Sequence, residues 1–411
     1  MPGSDQTARL TLLRDILAHA YDNAPAVRAL FAQAGAKPGD IASVADLTRL
    51  PVTSKERLHA LQREQPPFGG FLAVPGSALE RIFVSPGPIY DPQLRGDDES
   101  GLAAGFAAAG LGPGDIILNT WSYHLVPAGL MLDHGMRATG ATVVPGGTGN
   151  TEIQARAILD LGVTAICAST GFFQALADAI EASGTALPAG WRVRRAILGG
   201  EFGDWMAKRK RLESRYGIET FALYATGDVG VVAVERRGQP GYSVIANRIV
   251  QICDPATGLP VPAGEPGEIV VTALTRGYPL VRLGTGDVSR ALEMSECGGC
   301  ALVIAPLTGR VGQAVKAREI FIYPHQLAEL ARQIPAIDRL QATITRPRAR
   351  EEVHLAVVLH DPDRRAEAEA ELNRLFPALT RLRIDGLRFL PPGSLAADAP
   401  LLLDRKDAPP A

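Results

Sequence analysis

The clearest indication of the fold is Thr220-Phe221-Ala222-Leu223, followed directly by Tyr224-Ala225-Thr226-Gly227-Asp228. An apolar, β-branched run that leads into a loop of small residues with one carboxylate is typical of a buried parallel strand with a binding loop at its carboxyl end. Four similar runs precede it: Ile116 to Leu118, Thr142 to Val144, Ala165 to Cys167 and Arg195 to Leu198. Helical periodicity separates these runs, and the alternation predicts an α/β fold with a parallel sheet.

The pattern changes after Tyr242, where strands are joined by short turns as in antiparallel hairpins. A candidate hinge follows at Gly309-Arg310, and the remaining residues suggest the order βαββαβ. This order is typical of a small ferredoxin-like α+β domain. We therefore expect a large N-terminal α/β domain over residues 1–309 and a small, mobile domain over residues 310–411.

Composition excludes several classes of protein. The 411 residues are 46% hydrophobic and 21% charged, which is typical of a soluble globular protein. A net charge of -2 gives no overall attraction to nucleic acid or to anionic membranes. The sequence shows neither the pattern of a secretory signal nor an apolar stretch long enough to span a membrane. We expect a cytoplasmic protein that binds neither nucleic acid nor membranes, and a homodimer is compatible with this interpretation.

Several loops after predicted strands contain glycine and an acidic or hydroxyl side chain: Ser85-Pro86-Gly87-Pro88, Gly199-Gly200-Glu201, Tyr224 to Asp228, and Gly284-Thr285-Gly286-Asp287. Glycine lets backbone N–H groups approach a phosphate, and a carboxylate can hold ribose hydroxyls or Mg²⁺. Each loop alone is more often a structural turn. The sequence contains none of the motifs of serine hydrolases, zinc peptidases or P-loop nucleoside triphosphatases. The order of the loops therefore favours a different kind of nucleotide site.

Seven segments carry a resemblance to a known family: Pro51-Val52-Thr53-Ser54-Lys55, Asn119-Thr120-Trp121-Ser122-Tyr123, Gly149-Asn150-Thr151-Glu152, Gly199-Gly200-Glu201, Tyr224 to Asp228, Thr285-Gly286-Asp287, and Gly309-Arg310 with Arg318. In this order they resemble the motifs of the phenylacetate–CoA ligase branch of the adenylate-forming ligases. The resemblance extends from about Pro51 to Pro392. It implies an adenylate-forming ligase fold and ATP- and Mg²⁺-dependent activation of an aromatic or apolar carboxylic acid as an acyl-adenylate, followed by transfer to coenzyme A.

The resemblance also implies roles for individual residues. Asp228 would hold Mg²⁺ and, with Arg310 at the hinge, is a candidate catalytic residue. The residues implied to bind ATP or AMP are Ser85, Gly87, Gly200, Glu201, Tyr224, Ala225, Thr226, Asp287 and Arg310. Trp121 and Tyr123 would lie beside the acyl group. His124 follows them directly, and its position fits equally a pocket residue or a hydrogen-bonded structural histidine.

Three departures from the family pattern stand against full activity. The phosphate loop Ser-Ser-Gly-Thr-Thr-Gly-x-Pro falls on residues 85–92, where only Ser85, Gly87 and Pro92 match and two prolines remove backbone donors. Gly227 and Asp228 replace a Ser or Thr and a Glu. The family's C-terminal lysine is missing, because Leu395 is followed by no lysine until Lys406. Two rival functions are therefore a non-catalytic nucleotide-binding protein and an acyltransferase that uses a preformed acyl-adenylate.

The cysteines suggest a separate site. Cys297 and Cys300 have a spacing that lets two thiolates bind one Zn²⁺, and Cys253 could be a third ligand. A glycine turn between two free thiols explains the same spacing, and we consider it the stronger interpretation. Cys167 lies in an apolar run and is expected to be a buried strand residue.

Overall fold

A computed structural model describes residues 2–85, 89–95, 101–199, 205–295, 299–311, 315–318, 320–322, 324–347, 351–380, 382–396 and 398–406. The chain divides into two compact units, Met1–Gly309 and Arg310–Ala411. Across the residues described, no helix is both long enough and apolar enough to cross a membrane.

The helices described in the first unit are α1 (Pro2–Asn23), α2 (Pro25–Gln33), α3 (Lys55–Glu64), α4 (Leu102–Ala108), α5 (Ala128–Ala138), α6 (Thr151–Asp160), α7 (Thr170–Ala182) and α8 (Trp205–Tyr216). Short 3₁₀ helices cover Pro38–Asp40, Ala45–Arg49 and Gly76–Ala78. The strands are β1 (Leu79–Ser85), β2 (Ile89–Leu94), β3 (Ile116–Asn119), β4 (Thr142–Pro145), β5 (Ala165–Ser169), β6 (Arg195–Gly199), β7 (Glu219–Thr226), β8 (Gly230–Glu235), β9 (Tyr242–Val244), β10 (Arg248–Cys253), β11 (Pro266–Ala273), β12 (Leu283–Met294) and β13 (Ala301–Ile304). A two-residue strand, β14 (Gly309–Arg310), lies at the boundary of the units.

The main sheet of this unit has the strand order β12-β11-β10-β13-β9-β8-β7-β6-β5-β3-β4. Strands β3 to β6 are parallel to the strands beside them, and β7 is parallel to β6. The pairs from β7–β8 onward are antiparallel. The predicted α/β class is confirmed. The predicted change to hairpins is also present, since β10 and β11 pair antiparallel from Arg248 opposite Ala273 to Cys253 opposite Glu268.

Strand β5 shows why the parallel half is buried on both faces. Its side chains alternate between two apolar clusters, with Ala165 and Cys167 in one and Ile166 and Ala168 in the other. Helices cover both faces of such a sheet, so its strands are apolar throughout. The strand then passes directly into α7, where Ser169 Oγ accepts a hydrogen bond from Phe172 N at 3.2 Å and caps the helix. Because β3, β5, β6 and β7 are parallel, their carboxyl ends lie at the same edge of the sheet.

The second unit contains β15 (Val315–Ala317), β16 (Ile320–Ile322), α9 (Pro324–Gln333), β17 (Ile337–Thr345), β18 (Glu352–Leu359), a 3₁₀ helix (Pro362–Arg364), α10 (Arg365–Thr380), β19 (Gly386–Leu390) and β20 (Leu402–Arg405). Its four-stranded sheet has the order β19-β18-β17-β20, and β16 pairs with β15 in a separate hairpin. The predicted order of elements from β16 to β19 is present. The sequence did not indicate β20, a short edge strand that lies parallel to β17.

Candidate active site

An apolar cavity of about 290 Å³ opens where the strands of the parallel half end. Its walls come from Ser85 at the end of β1, Trp121 after β3, Met131 in α5, Cys167 in β5 and Thr226 at the end of β7. None of the side chains that line it in the described part of the chain is charged. The cavity thus joins one residue predicted for the acyl group, Trp121, to three predicted for the nucleotide, Ser85, Ala225 and Thr226.

The indole of Trp121 lies over the end of β6. A Cβ atom added to Gly199 would be 3.5 Å from Trp121 Cζ2, an ordinary van der Waals distance, so the ring packs directly over the glycine. The same indole forms a hydrogen bond with the thiol of Cys167, which is fully buried. Burial raises the pKa of the Cys167 thiol to about 12. Cys167 is therefore a neutral part of the cavity wall, and the prediction of a buried strand residue is confirmed.

Two predicted nucleotide residues contact each other directly. Tyr224 Oη donates a hydrogen bond to Asp287 Oδ2 at 2.9 Å, and both residues are buried. Tyr224 belongs to the core cluster on the opposite side of β7 from Leu223 and Ala225, because side chains alternate along a strand. The hydroxyl of Tyr224 thereby fixes the carboxylate that is predicted to hold the ribose.

Asp228 forms an ion pair that the sequence did not indicate. Its Oδ2 lies 2.8 Å from Nζ of Lys55, and its side chain is only 1% exposed. Lys55 is the first residue of α3, which begins where Ser54 Oγ accepts a hydrogen bond from Arg57 N. His59 lies one turn further along α3 and interacts electrostatically with Asp228, while burial lowers the pKa of its imidazole. The i and i+4 spacing of Lys55 and His59 is the sequence signal that could have found this face of α3.

A second carboxyl group, Asp91 of β2, lies close to Asp228. Its Oδ2 accepts a hydrogen bond from Ser85 Oγ at 3.2 Å. Burial, with the negative charge of Asp228 as the second cause, raises the pKa of Asp91 to about 8, and the charge of Lys55 acts in the opposite direction. Asp91 and Asp228 line one cavity of about 120 Å³ together with His134, Arg248 and other residues. The sequence analysis assigned no role to Asp91.

Comparison with known proteins places the chain in a family. It is 30% identical over 414 residues to the phenylacetate-coenzyme A ligase of Thermus thermophilus, covering 93% of this chain and 91% of that protein. The chain belongs to the phenylacetate–CoA ligase family. It is also 31% identical over 348 residues to the Pseudomonas putida phenylacetate-coenzyme A ligase, covering 81% of this chain and 76% of that protein. No family model matches the sequence.

Solved structures show the same fold. A 2-hydroxyisobutyryl-CoA ligase, in complex with 2-HIB-AMP and CoA in the thioesterification state, superposes with a TM-score of 0.82 at 21% identity, covering 98% of this chain and 90% of that one. The o-succinylbenzoate CoA synthetase of Bacillus subtilis gives a TM-score of 0.56 at 17% identity, covering 79% and 68% of the two chains. The predicted adenylate-forming ligase fold is confirmed. The predicted enzyme class, an acid–thiol ligase that forms AMP, is confirmed at the level of the family.

One departure from the phenylacetate–CoA ligase motifs, Gly227, is physically coupled to Ser85, a residue that matches the family's phosphate loop. A Cβ atom added to Gly227 would be 3.0 Å from Ser85 Oγ, closer than side chains normally approach. In this structure Ser85 occupies space that a side chain at position 227 would need, and its hydroxyl is bound to Asp91. The glycine at position 227 and the position of the Ser85 hydroxyl therefore depend on each other.

Tyr123 and His124, the other residues predicted to contact the substrate, lie away from the wall of the apolar cavity. Tyr123 Oη accepts a hydrogen bond from Asn119 Nδ2 at 2.9 Å and donates one to Asp133 Oδ2 at 3.1 Å. His124 is exposed, and its backbone N donates to Ser122 Oγ. Among the described residues that line the apolar cavity, neither Tyr123 nor His124 is present. Their substrate roles stay predictions.

Several predicted site residues cannot be placed. Gly87, Gly200, Glu201 and Cys297 lie outside the described residues. Arg310 is in β14, the first residue of the second unit, and its role stays a prediction.

The proposed zinc ligands are described only in part. Cys253 and Cys300 are both buried, and Cys253 Sγ accepts a hydrogen bond from Arg282 Nη2 at 3.6 Å. Over the ranges that the structure describes, no cluster of three or more metal-ligating side chains is found. Zinc binding stays a prediction.

Proposed function

We propose that this protein uses ATP and Mg²⁺ to activate a carboxylic acid whose acyl chain is apolar and uncharged. It then transfers the acyl group to coenzyme A. The observation that carries the proposal is the uncharged cavity of about 290 Å³ that begins at Trp121 and reaches Ser85 and Thr226 on the nucleotide side. An aromatic or branched acyl chain gains free energy by leaving water for such a cavity, whereas a charged chain loses its hydration without a partner.

The reaction has two steps. A carboxylate oxygen of the acid forms a bond to the α-phosphorus of ATP, and pyrophosphate leaves with the electron pair of the broken P–O bond. The sulfur of coenzyme A then attacks the acyl carbon, its proton passes to solvent, and AMP leaves. The chain contributes a cavity that holds the acyl group and excludes water, so that the adenylate is transferred rather than hydrolysed.

We assign nucleotide contacts to residues of the first unit. Asp287, held by Tyr224, would accept hydrogen bonds from the ribose hydroxyls. Asp228 fits a Mg²⁺ ligand, because its Oδ1 is buried without a hydrogen-bond donor among the described residues. Mg²⁺ is commonly held by one or two carboxylates with water and substrate phosphates, and it neutralises phosphate charge when bound. The expectations of a cytoplasmic location and of a homodimer stay predictions.

Carboxylate-dependent exchange of labelled pyrophosphate into ATP tests the activation step. The panel contains aryl, arylacetic and branched aliphatic acids. Its matched control is an arylacetic acid that carries a second carboxylate on the ring. We expect exchange with at least one apolar acid and none with the charged control. Exchange with the charged acid alone would contradict the assignment of the apolar cavity to the acyl group.

A second candidate function is supported by two further observations. The phosphate-loop positions of Pro86 and Pro88 have no backbone N–H to donate, and Lys406 is paired with Asp404 at 3.1 Å with its side chain only 15% exposed. A chain with a weak adenylation step could still act as an acyltransferase from a supplied acyl-adenylate. Formation of acyl-CoA from the adenylate, without pyrophosphate exchange for any acid, would favour this function. Failure of both reactions would favour a non-catalytic nucleotide-binding protein.

A further inference from the structure

Asp91 places a carboxyl group in the segment that matches the family's phosphate loop, at the position that the motif leaves unspecified. It lies in the segment that matches the phosphate loop, in β2 two residues after Ile89, and only 7% of the residue is exposed. In its ionised form this carboxyl group would repel the phosphates of ATP, and burial strengthens that repulsion because little water screens it. An acidic residue in this position is therefore compatible with nucleotide binding when a cation lies between the two.

Each of the two neighbouring carboxyl groups has one oxygen bound and one oxygen unbound. Asp91 Oδ2 is bound by Ser85, and Asp228 Oδ2 is bound by Lys55. The Oδ1 atoms of both residues are buried and have no hydrogen-bond donor in the part of the chain that the structure describes. Buried oxygens in native proteins normally contact a donor or an ion. Two such atoms in neighbouring side chains point to a shared ligand.

Both carboxyl groups line the same cavity of about 120 Å³, which is large enough for a cation with several of its water molecules. Other groups in its wall are His134, Thr275 and the hydroxyl-bearing Tyr278. This cavity is distinct from the apolar one, although Pro127, Met131 and Gly227 contribute to both. The oxygens of two carboxyl groups suit a hard divalent cation, which keeps water in its coordination sphere.

The charges around the cavity show how such a site would be balanced. Lys55 and His59 approach the carboxyl groups from α3, and Arg248, whose guanidinium donates to Val229 O, lies in the wall from β10. Lys55 Nζ is the cation bound to Asp228. A divalent cation on Asp228 Oδ1 would be repelled by that ammonium group, so Lys55 lowers the affinity of the site and keeps binding reversible.

We propose that Asp91 and Asp228 together bind one divalent cation of the Mg²⁺ or Mn²⁺ type before any nucleotide is bound. The inference rests on the proposed function for its purpose, because the cation would lie between the acidic phosphate-loop segment and the phosphates of ATP. It adds to that function a second carboxylate ligand and a metal site that does not require ATP.

The test uses Mn²⁺ alone with the full-length protein and no nucleotide. Electron paramagnetic resonance counts bound Mn²⁺ from the loss of the free-ion signal, and Mg²⁺ is then added as competitor. We expect one Mn²⁺ per chain, displaced by Mg²⁺. Absence of binding at millimolar Mn²⁺ would overturn the proposal. A protein that binds Mn²⁺ in this way but exchanges pyrophosphate with no acid would keep the metal site and lose the proposed function.

Variants identify the ligands. Asp91→Asn and Asp228→Asn should each weaken Mn²⁺ binding by about tenfold or more, since even residues behind the ligands typically contribute that much. Asp22→Asn, at an exposed position in the last turn of α1, is the matched control and should bind like the unaltered protein. Loss of binding in Asp228→Asn but not in Asp91→Asn would overturn the shared site.

A variant that should strengthen Mn²⁺ binding tests the site without depending on how well Asp91→Asn folds. Lys55→Met removes the ammonium group 2.8 Å from Asp228 Oδ2 and should tighten Mn²⁺ binding by about tenfold or more. Lys210→Met, at an exposed position of α8, controls for the general loss of one positive charge. Equal or weaker Mn²⁺ binding by Lys55→Met would contradict Asp228 as a ligand.

Discussion

Replacing Gly227 by alanine should destabilise the first unit through Ser85. The added Cβ would be 3.0 Å from Ser85 Oγ, so the serine side chain must shift by a few tenths of an ångström, and we expect its 3.2 Å hydrogen bond to Asp91 to break. Losing that bond and leaving a buried acceptor unpaired costs about 1 to 2 kcal/mol. Replacing glycine by alanine also restricts the unfolded chain, which returns about 0.4 to 1 kcal/mol. The free energy of unfolding should therefore fall by about 1 kcal/mol.

The same substitution should have the opposite effect when Ser85 is already alanine. The new Cβ would then meet only the Cβ of residue 85, at the ordinary contact distance of 3.5 Å. The steric cost disappears, while the restriction of the unfolded chain remains and stabilises the protein by about 0.5 kcal/mol. The double-mutant cycle formed by Gly227→Ala and Ser85→Ala should thus show a coupling of about 1.5 kcal/mol.

Urea unfolding followed by tryptophan fluorescence measures this coupling. Trp121, Trp191 and Trp205 all lie within residues 1–309, so the signal reports the first unit. If Gly227→Ala changes the free energy of unfolding equally in both backgrounds, to within about 0.4 kcal/mol, the two positions are independent. The account of Gly227 and Ser85 as coupled positions would then be wrong.

Three further predictions concern the predicted nucleotide, lysine and zinc positions. Asp287→Asn should weaken AMP binding in calorimetry by about tenfold, because hydrogen bonds to a charged carboxylate contribute more than those to an amide; unchanged affinity would remove its ribose role. Lys406→Ala should change the rate of acyl-CoA formation by less than about threefold, whereas loss of a transition-state cation would cost about a hundredfold or more. A zinc site at Cys253, Cys297 and Cys300 predicts about one zinc per chain and lower thermal stability on chelation; metal-free protein of unchanged stability would support the glycine turn.

The fold could be predicted from the sequence because the patterns that specify its strands and loops are local. The run from Thr220 to Asp228 combines an apolar strand with a small acidic loop, and both are found where they were expected, in β7 and the turn after it. Strand β20 was not predicted because its four residues, Leu402–Arg405, are too few to show a recognisable strand pattern. Only their pairing with β17 makes them a strand.

The site was less predictable because its key contacts join distant parts of the chain. Asp228 could be selected from its loop, but its pairing with Lys55 depends on α3 packing beside the turn after β7. Asp91 is one acidic residue among many until the structure places it against Ser85. Tyr224 illustrates the same limit, since its hydroxyl contact with Asp287 follows from the side of β7 on which it lies.

The central claim is that a carboxylate oxygen attacks the α-phosphorus of ATP, and oxygen labelling tests it most directly. The acid that supports pyrophosphate exchange is prepared with ¹⁸O in both carboxylate oxygens and incubated with ATP, Mg²⁺, coenzyme A and the protein. Mass spectrometry of the AMP should show one ¹⁸O per molecule, because one oxygen remains in the thioester and the other leaves with the phosphate. Acyl-CoA formed from ATP with unlabelled AMP would contradict the acyl-adenylate route.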